Sequence, residues 1–284
     1  MIEIENPGRM QQTVTKEKKD GKRVGVVPTM GYLHDGHIAL IREARRENDI
    51  VVLTIFVNPA QFGPNEDFER YPRDIARDRE IAEEENVDYI FNPSVDDIYP
   101  EGYSTYIDVE GVSELLEGEW RPGHFRGVAT VVMKLFQITL PDTAYFGQKD
   151  AQQLMVIKKM VSDLHMSVSI KHVPTVRESN GLAMSSRNAY LSPGERKDAA
   201  ILFKSLQDAR DRIEQGERSR QVLVEKIKNT INTIDNVSID YAELVDPATF
   251  RSVEQLENGR EYCIALAVRI GKTRLIDNIF VQVG

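Results

Sequence analysis

The alternation of short apolar runs with amphipathic stretches constrains the fold of this chain more than any other feature of its sequence. RVGVVP and DIVVLTIFVN predict two buried strands, and HIALIREARREN between them predicts a helix with Ile38, Ile41 and Ala44 on one face. A strand, a helix and a second strand with short joints form a βαβ unit, whose strands are parallel. The alternation continues with RDIARDREIAEEENV, GVATVVMKLFQITL and AQQLMVIKKMVSDL as predicted helices, and with VDYIFNP, DTAYFG and SVSIKHVPTV as predicted strands. We therefore predict an α/β fold with a doubly wound, Rossmann-like parallel sheet and helices on both of its faces.

The pattern changes after about Thr175. LSPGERKDAAILFKSLQDARDRIEQG predicts one long helix, with Ser192 as its cap and Pro193 at its first position, and RQVLVEKIKNTINTI predicts another. VSIDYAELV, REYCIALAVRI and TRLIDNIFVQV predict three strands, of which the last two form a hairpin over 271–272. We predict an N-terminal domain at residues 1–175 and a smaller α+β C-terminal domain at residues 176–284. A cleft between two domains is a common place for a small-molecule site.

Composition narrows the classes of function. The chain has 284 residues, 41% of them hydrophobic and 29% charged, and a formal net charge of −9, which argues against general binding to nucleic-acid backbones. The single cysteine, Cys263, lies in the apolar run YCIALAV and is expected to be a small buried hydrophobe. One cysteine excludes an internal disulfide framework and fits a reducing compartment. No signal-peptide core or run of roughly 18 apolar residues is present, so we predict a cytoplasmic protein without membrane association.

Two of the five histidines, His34 and His37, lie where the first predicted strand passes into its helix, in VPTMGYLHDGHIALI. Ligands of a parallel α/β sheet bind beyond the carboxyl ends of its strands, against helix N-termini. Gly31 allows a tight turn there and Gly36 allows close backbone approach. Imidazoles at this junction can donate hydrogen bonds to phosphate oxygens. Two alternatives remain open at this point: a metal site shared by the i and i+3 histidines, and a pair of surface histidines without a function.

Two further stretches carry groups that suit phosphate. AMSSRN offers the hydroxyls of Ser185 and Ser186 and the guanidinium of Arg187, although Ser-Ser-Arg could also be a polar turn before a helix. FGQKDAQQ places Lys149 at a strand-to-helix junction, with Asp150 as the predicted helix cap. Lys149 would supply a point charge to phosphates, and the alternative is an ordinary surface lysine.

The stretch FVNPAQF follows the second predicted strand and contains the neutral amides of Asn58 and Gln61. Amides at a strand end suit a small polar substrate, or else form a turn around Pro59. The segment GEWRPGHFRGVAT, which contains residues 118–127, has His124 and Arg126 among glycines before a predicted helix. It predicts either a mobile flap that closes over a reactive intermediate or a polar surface connection.

Taken together, these stretches resemble one enzyme family. His34-Asp35-Gly36-His37 resembles the HIGH-type motif of the nucleotidyltransferase superfamily, and residues 184–187, Met-Ser-Ser-Arg, resemble its KMSKS-type loop with arginine where lysine is often found. The set PTMGYLHDGH, FVNPAQF, YPR, GHFRGV, FGQKDAQQ, PTVRESNGLAMSSRN and RLIDNI resembles the pantothenate synthetases, in order and over almost the whole chain.

The resemblance implies a ligase that joins pantoate to β-alanine with ATP through an enzyme-bound pantoyl adenylate, releasing AMP and pyrophosphate. It implies that residues 30–37 line the ATP site, that His37 acts as proton donor, and that Gln61 and Gln153 hold pantoate, with Gln61 also near β-alanine. It implies that the ATP site contains Met30, Gly31, His34, Gly36, His37, Gly147, Gln148, Lys149, Asp150, Val176, Met184, Ser185, Ser186 and Arg187. Asn58 is added to the substrate side from its position in FVNPAQF.

Chemistry supports a broader statement about catalysis than proton donation by one histidine. A carboxylate is a poor acyl donor, and adenylation makes its oxygen part of a good leaving group. That step needs neutralisation of phosphate charge, which His34, His37, Lys149 and Arg187 could supply together as the catalytic set. Mg²⁺ is expected with ATP and is held largely by phosphates and water, so no protein ligand is named. The resemblance also implies a homodimer formed through the first domain.

Two other functions remain in view. The chain could be another nucleotidyltransferase that moves AMP or CMP onto a phosphorylated acceptor, in which case Gln61 and Gln153 would not be needed for a carboxylic acid. It could also be a nucleotide-binding regulator that senses ATP without turnover. Pantoate-dependent exchange of pyrophosphate into ATP distinguishes the first alternative, and AMP release in the presence of both acids distinguishes the second.

Overall fold

Two β-sheets organise the chain in the computed structural model, which describes residues 1–64 and 66–284. The strands are β1 (Ile2–Ile4), β2 (Val24–Thr29), β3 (Ile50–Ile55), β4 (Tyr89–Phe91), β5 (Thr143–Gly147), β6 (Ser169–Val173), β7 (Val237–Val245), β8 (Glu261–Ile270) and β9 (Thr273–Gln282). The α-helices are α1 (Pro7–Lys19), α2 (Asp35–Glu47), α3 (Ile75–Glu84), α4 (Val95–Ile98), α5 (Glu117–Trp120), α6 (His124–Thr139), α7 (Ala151–Asp163), α8 (Pro193–Asp198), α9 (Ala200–Glu214) and α10 (Arg220–Ile231). Short 3₁₀ turns cover Pro59–Gln61, Gln148–Asp150 and Ser186–Tyr190. In this described part of the chain, no helix has both the length and the apolar content needed to cross a bilayer.

The first sheet has six parallel strands in the order β1-β4-β3-β2-β5-β6. From β2 the chain builds outward on one side through β3 and β4, and it later returns to add β5 and β6 on the other side of β2. The strand order therefore reverses between β2 and β5, and ligands of open parallel sheets bind in the crevice at such a switch point. Residues that follow β2 and β5 meet there, which explains how stretches more than 100 positions apart form one site.

Helices cover both faces of this sheet, so the predicted α/β class is confirmed. Neighbouring residues of β2 point to opposite faces, as the pleat requires: Val26 packs into a core with α1, α6 and α7, and Val27 packs into a second core with α2 and α3. On α2 the predicted inward face is correct at Ile41 and Ala44, but Ile38 is only half-buried and Leu40 is buried instead.

Two elements at the N-terminus were not predicted from the sequence. β1 adds to the edge of the sheet beside β4, and α1 packs Met10 and Val14 into the core. β1 has only three residues, and α1 buries only these two apolar residues among polar ones, so neither shows a clear period in the sequence. Tertiary contacts, rather than local pattern, fix both elements.

The second sheet is antiparallel, with the order β7-β8-β9, and its predicted hairpin is confirmed, with Ile270 opposite Thr273. The prediction of one long helix after residue 191 is wrong, because the chain forms α8 and α9 with a break at Ala199. There the N–H of Leu202 bonds the Ala199 carbonyl three residues back, which tightens the turn and directs the buried Ala199 into the core. Ser192 caps α8 as predicted, with Pro193 at the first helical position.

A buried ion pair joins the second sheet to helix α5. Arg274 on β9 donates two hydrogen bonds to the buried carboxylate of Glu117 on α5, at 2.7 and 2.8 Å, and Tyr241 on β7 donates a third at 2.9 Å. Cys263 is buried in β8, and burial raises the pKa of its thiol, which fits the predicted structural role. A domain boundary near residue 175 stays a prediction.

Candidate active site

The loop between β2 and α2 is shaped by a buried carboxylate from the next crossover. Asp78 on α3 accepts hydrogen bonds from the backbone N–H groups of Tyr32 and Leu33, at 2.8 and 2.7 Å. Gly31 has φ +80°, and a Cβ there would lie 2.9 Å from an Asp78 oxygen, so glycine is needed for this close approach. Burial raises the pKa of the Asp78 carboxyl, although the two N–H donors favour its ionised form. Gly31 therefore allows the backbone conformation of the loop that leads to His34.

His34 and His37 lie together at the start of α2, with ring centroids 4.0 Å apart. The N–H of Gly36 donates to Nδ1 of His34 at 3.1 Å, and the N–H of His34 donates to Nδ1 of His37 at 3.3 Å. Because each Nδ1 accepts a hydrogen bond, the neutral ring carries its proton on Nε2. Both imidazoles are therefore hydrogen-bond donors through Nε2.

Burial keeps both rings neutral. Desolvation, aided by the positive charge of Lys149, lowers the pKa of His34 to about 4. Desolvation, then His34 and then Lys149, lower the pKa of His37 well below its ordinary value. Near neutral pH these side chains can donate hydrogen bonds but do not carry charge. Positive charge in the site must come from elsewhere.

Lys149 supplies such a charge from the carboxyl end of β5. Its ammonium lies 3.8 Å from the Asp150 carboxylate, which is beyond hydrogen-bonding distance. Asp150 occupies the N-cap position of α7, but its side chain makes no capping hydrogen bond, so its predicted capping role is wrong. Asp150 instead lines a cavity together with Lys149 and the two histidines.

The segment 184–187 crosses over the start of α2. A Cβ built on Gly36 would lie 3.7 Å from the Met184 side chain, and the Ser186 hydroxyl lies 3.5 Å from the Tyr32 carbonyl. Arg187 makes a two-point ion pair with Asp67, at 2.8 and 2.9 Å, and its guanidinium lies over the Tyr71 ring at 5.5 Å. The guanidinium thus has a carboxylate partner in this structure, and a phosphate would have to replace it.

The other side of the site is built around Gln61. Asn58 donates to the Gln61 side-chain oxygen at 3.1 Å and to the Gly127 carbonyl at 3.1 Å. His124 Nδ1 lies 2.9 Å from the Gln61 carbonyl oxygen, and the Arg121 guanidinium lies 3.1 Å from His124 Nε2. Since Arg121 can only donate, His124 Nε2 accepts and Nδ1 holds the proton that is donated to Gln61.

These groups surround one cavity of about 220 Å³. All the predicted site residues line it except Gly31 and Gln148. Its wall also contains the apolar side chains of Leu40, Phe56, Val128, Val131, Val132, Leu135 and Phe146. Polar groups for phosphate and for a small acid therefore face a common, partly apolar space. Such a cavity can bind a small molecule and exclude bulk water from it.

Arg121 and Asp67 help to shape this site but were not predicted from the sequence. His124 was predicted only as part of a flap, and it lies in the cavity wall. Arg121 makes a two-point ion pair with Glu66, at 2.6 and 2.7 Å. The glycines of GEWRPGHFRGV were the only signal for close packing there. Arg126, paired with His124 in the flap hypothesis, lies outward over Tyr106. The flap itself stays a prediction.

In the described ranges 1–64 and 66–284, no group of three or more His, Cys, Asp or Glu residues could hold a metal ion, so the metal alternative gains no support.

Comparison with known proteins identifies the family. The family model for pantoate-beta-alanine ligase matches residues 3–280. Pantothenate synthetase from Acetivibrio thermocellus is 54% identical over 280 residues, with 99% of each chain covered, and that from Caldicellulosiruptor saccharolyticus is 52% identical over 283 residues, with both chains fully covered. The crystal structure of pantothenate synthetase from Thermus thermophilus has a TM-score of 0.94 at 44% identity, covering 99% of this chain and 100% of that one. Pantoate-beta-alanine ligase from Francisella tularensis, complexed with beta-gamma ATP and beta-alanine, has a TM-score of 0.79 at 38% identity, with 98% of this chain and 97% of that chain covered. The chain belongs to the pantoate-beta-alanine ligase family.

Proposed function

We propose that this protein condenses pantoate with β-alanine to give pantothenate, using ATP and passing through a pantoyl adenylate. The observation that carries the proposal is the single cavity in which His34, His37, Lys149 and the 184–187 segment face Gln61. Membership of the ligase family supports the overall condensation. The Francisella relative, whose structure is a complex with beta-gamma ATP and beta-alanine, supports ATP as the co-substrate.

In the first step, a pantoate carboxylate oxygen attacks the α-phosphorus of ATP and the bond to the β-phosphate oxygen breaks, releasing pyrophosphate. Negative charge that moves onto the phosphates is stabilised by Lys149 and by Arg187 after it leaves Asp67. His34 and His37 donate hydrogen bonds from Nε2 to the phosphate oxygens. Because the pKa values of both histidines are lowered, we propose neutral donors rather than an imidazolium acid.

In the second step, the neutral amine of β-alanine attacks the activated carbonyl carbon, AMP leaves with the bonding electron pair, and the nitrogen releases one proton to solvent as the amide forms. Gln61 and Gln153 orient pantoate, and Asn58 orients Gln61. The apolar wall of the cavity protects the acyl phosphate from water, which would otherwise hydrolyse it.

Mg²⁺ is proposed to accompany ATP and to neutralise its phosphate charge. Asp150 is the carboxylate of the cavity wall beside Lys149, so it is the residue best placed to contact the ion directly or through water. Three further proposals rest on the sequence: a homodimer follows from the family resemblance, and the absence of nucleic-acid binding follows from the net charge of −9. A cytoplasmic location follows from the single cysteine and the lack of a signal-peptide core.

Exchange of labelled pyrophosphate into ATP tests the proposed function. We expect exchange only when pantoate is present, and AMP release only after β-alanine is added. The variant His37→Ala should slow adenylate formation in a single turnover by roughly 10²–10³-fold while changing pantoate binding little. Exchange that depends on a phosphorylated alcohol would favour another nucleotidyltransferase, and ATP binding without either reaction would favour a sensor.

A further inference from the structure

Asn278 on β9 touches the turn that carries Lys149, although it belongs to the other sheet. Its side-chain Nδ2 donates to the Gln148 carbonyl at 3.1 Å and to the Lys149 carbonyl at 2.8 Å. These two carbonyls lie in the 3₁₀ turn between β5 and α7, whose preceding residue, Gly147, contributes no side-chain cap. The turn is therefore held from outside, by an amide of the three-stranded sheet.

The Lys149 ammonium needs such support. A lysine side chain has a flexible four-carbon stem, and its position is usually fixed by an ion pair or by the backbone that carries it. The nearest carboxylate in the described residues, that of Asp150, is 3.8 Å away, and the Lys149 side chain is 19% exposed. Without a close ion pair, the position of the ammonium depends on the packing of the largely buried stem and on the backbone of the turn that carries it.

Asn278 is itself held rigidly. Its backbone N–H donates to Asp277 at 2.8 Å, and Asp277 makes a two-point ion pair with Arg177, at 2.6 and 2.9 Å. Arg177 directly follows Val176, whose carbonyl accepts the N–H of Met184 at 2.9 Å. One network therefore connects the turn of Lys149 with the segment that crosses over α2.

The chemistry of the contact requires an amide. Two carbonyl oxygens face the Asn278 side chain, so both must meet N–H groups, and this fixes which end of the amide points toward the turn. The Asn278 Oδ1 atom is then buried without a hydrogen-bond partner in the described part of the chain, which is unfavourable. An aspartate would place an oxygen against the two carbonyls, and an aliphatic residue would remove both of the hydrogen bonds that Asn278 donates.

We infer that Asn278 is a positioning residue for adenylate formation, which sets the place of the Lys149 ammonium by holding the two carbonyls of its turn. The inference rests on the proposed function. It predicts that loss of the amide acts through Lys149: a displacement of about 1 Å in a charge that stabilises the transition state can cost on the order of 10²-fold in rate.

A double-mutant cycle on the full-length protein tests this. The rate constant of pantoate-dependent pyrophosphate exchange at saturating ATP is measured for the wild type, Asn278→Asp, Lys149→Met and the double variant. We expect Asn278→Asp to lose about 10²-fold in the wild-type background and less than about threefold in the Lys149→Met background, because the ammonium that it positions is already absent. The same cycle with Asn278→Ser, which retains one donor in a smaller side chain, should give a smaller loss with the same dependence on Lys149.

Tyr241→Phe is the matched control, since it removes a hydrogen bond from the second sheet, 2.9 Å from Tyr241 on β7 to Glu117 on α5, and not one to the turn of Lys149. It should leave the exchange rate within about threefold of the wild type, as expected for a contact outside the site. Equal losses from the Asn278 substitutions in both backgrounds, or losses below threefold in the wild type, would overturn the inference while the proposed function stands. A wild-type protein without pantoate-dependent exchange would overturn both.

Discussion

Gly127 is the position where one added methyl group should damage the site most clearly. It lies in α6, and a Cβ built on it would be 2.1 Å from the Ala60 carbonyl oxygen, 2.4 Å from the Ala60 carbonyl carbon and 2.6 Å from the Gln61 nitrogen. All three are backbone atoms, so no side chain can rotate away. Real Cβ atoms essentially never approach closer than 3.0 Å, so the helix and the turn at Pro59–Gln61 must separate by roughly 1 Å in Gly127→Ala.

Two opposing effects decide the stability of Gly127→Ala. Alanine in a helix interior gains about 1 kcal/mol over glycine. Overpacking a buried contact costs typically about 1–3 kcal/mol, and rigid backbone partners place this site toward the upper end. We expect a net loss of about 1–2 kcal/mol in the free energy of unfolding. Because the displaced turn carries Gln61, kcat/KM for pantoate should also fall by on the order of 10²-fold.

Urea unfolding and steady-state kinetics measure the two effects. The control is Gly194→Ala in α8, where a built Cβ meets nothing within 4 Å and the same propensity gain applies without a clash. We expect Gly194→Ala to be as stable as the wild type or slightly more so, with unchanged kinetics. If Gly127→Ala matched Gly194→Ala in both measurements, the close packing of α6 against the Gln61 turn would be refuted.

Three further predictions concern charge. The pKa of His34 is lowered to about 4 from an ordinary 6.5, so its neutral ring stabilises the fold fully above pH 6.5, and this contribution is lost as the pH falls toward 4. The variant His34→Asn keeps a capping side chain that does not titrate. Between pH 7 and pH 4, its free energy of unfolding, measured with urea, should fall by roughly 2–3 kcal/mol less than that of the wild type. An equal fall in the two proteins would contradict this prediction. Asp67→Asn frees Arg187 from its ion pair and should tighten ATP binding about tenfold by calorimetry, whereas weaker binding would mean that Asp67 helps to organise the site. Glu117→Gln breaks a buried pair with Arg274 and should lower the free energy of unfolding by about 3–5 kcal/mol, and a change below 1 kcal/mol would show that α5 is held on the second sheet by other contacts.

The four central strands of the first sheet, β2 to β5, were predictable because nearly all of their residues are buried. All six residues of β3 are buried, so the strand is a continuous apolar run. Such runs between amphipathic helices define the fold class without knowledge of any distant contact. The break at Ala199 was not predictable in this way, because LSPGERKDAAILF has a helical pattern throughout and only packing of Ala199 into the core tightens the turn.

Some residues of the candidate site could likewise be predicted from the sequence, and others could not. The histidine motif and Lys149 could be located from the sequence because strand ends and helix starts at a switch point are determined by topology. Asp67, Arg121 and Asn278 could not, since each acts on a residue at least 55 positions away. Their partners are determined by how the loops fold back over the sheet, and no periodic pattern in the sequence indicates these long-range contacts. Even the tautomers of His34 and His37 depend on backbone N–H groups whose directions are a property of the folded loop.

The histidines of the first crossover and the Ser-Ser-Arg segment are proposed to serve one triphosphate, and a crystal soaked with ATP and pantoate would show whether they do. We expect continuous density from the pantoyl carbonyl to the α-phosphorus within the 220 Å³ cavity, His37 Nε2 within hydrogen-bonding distance of a phosphate oxygen, and Arg187 moved from Asp67 to the phosphates. Nucleotide density in a different cavity, or phosphates that contact only one of these two segments, would contradict it.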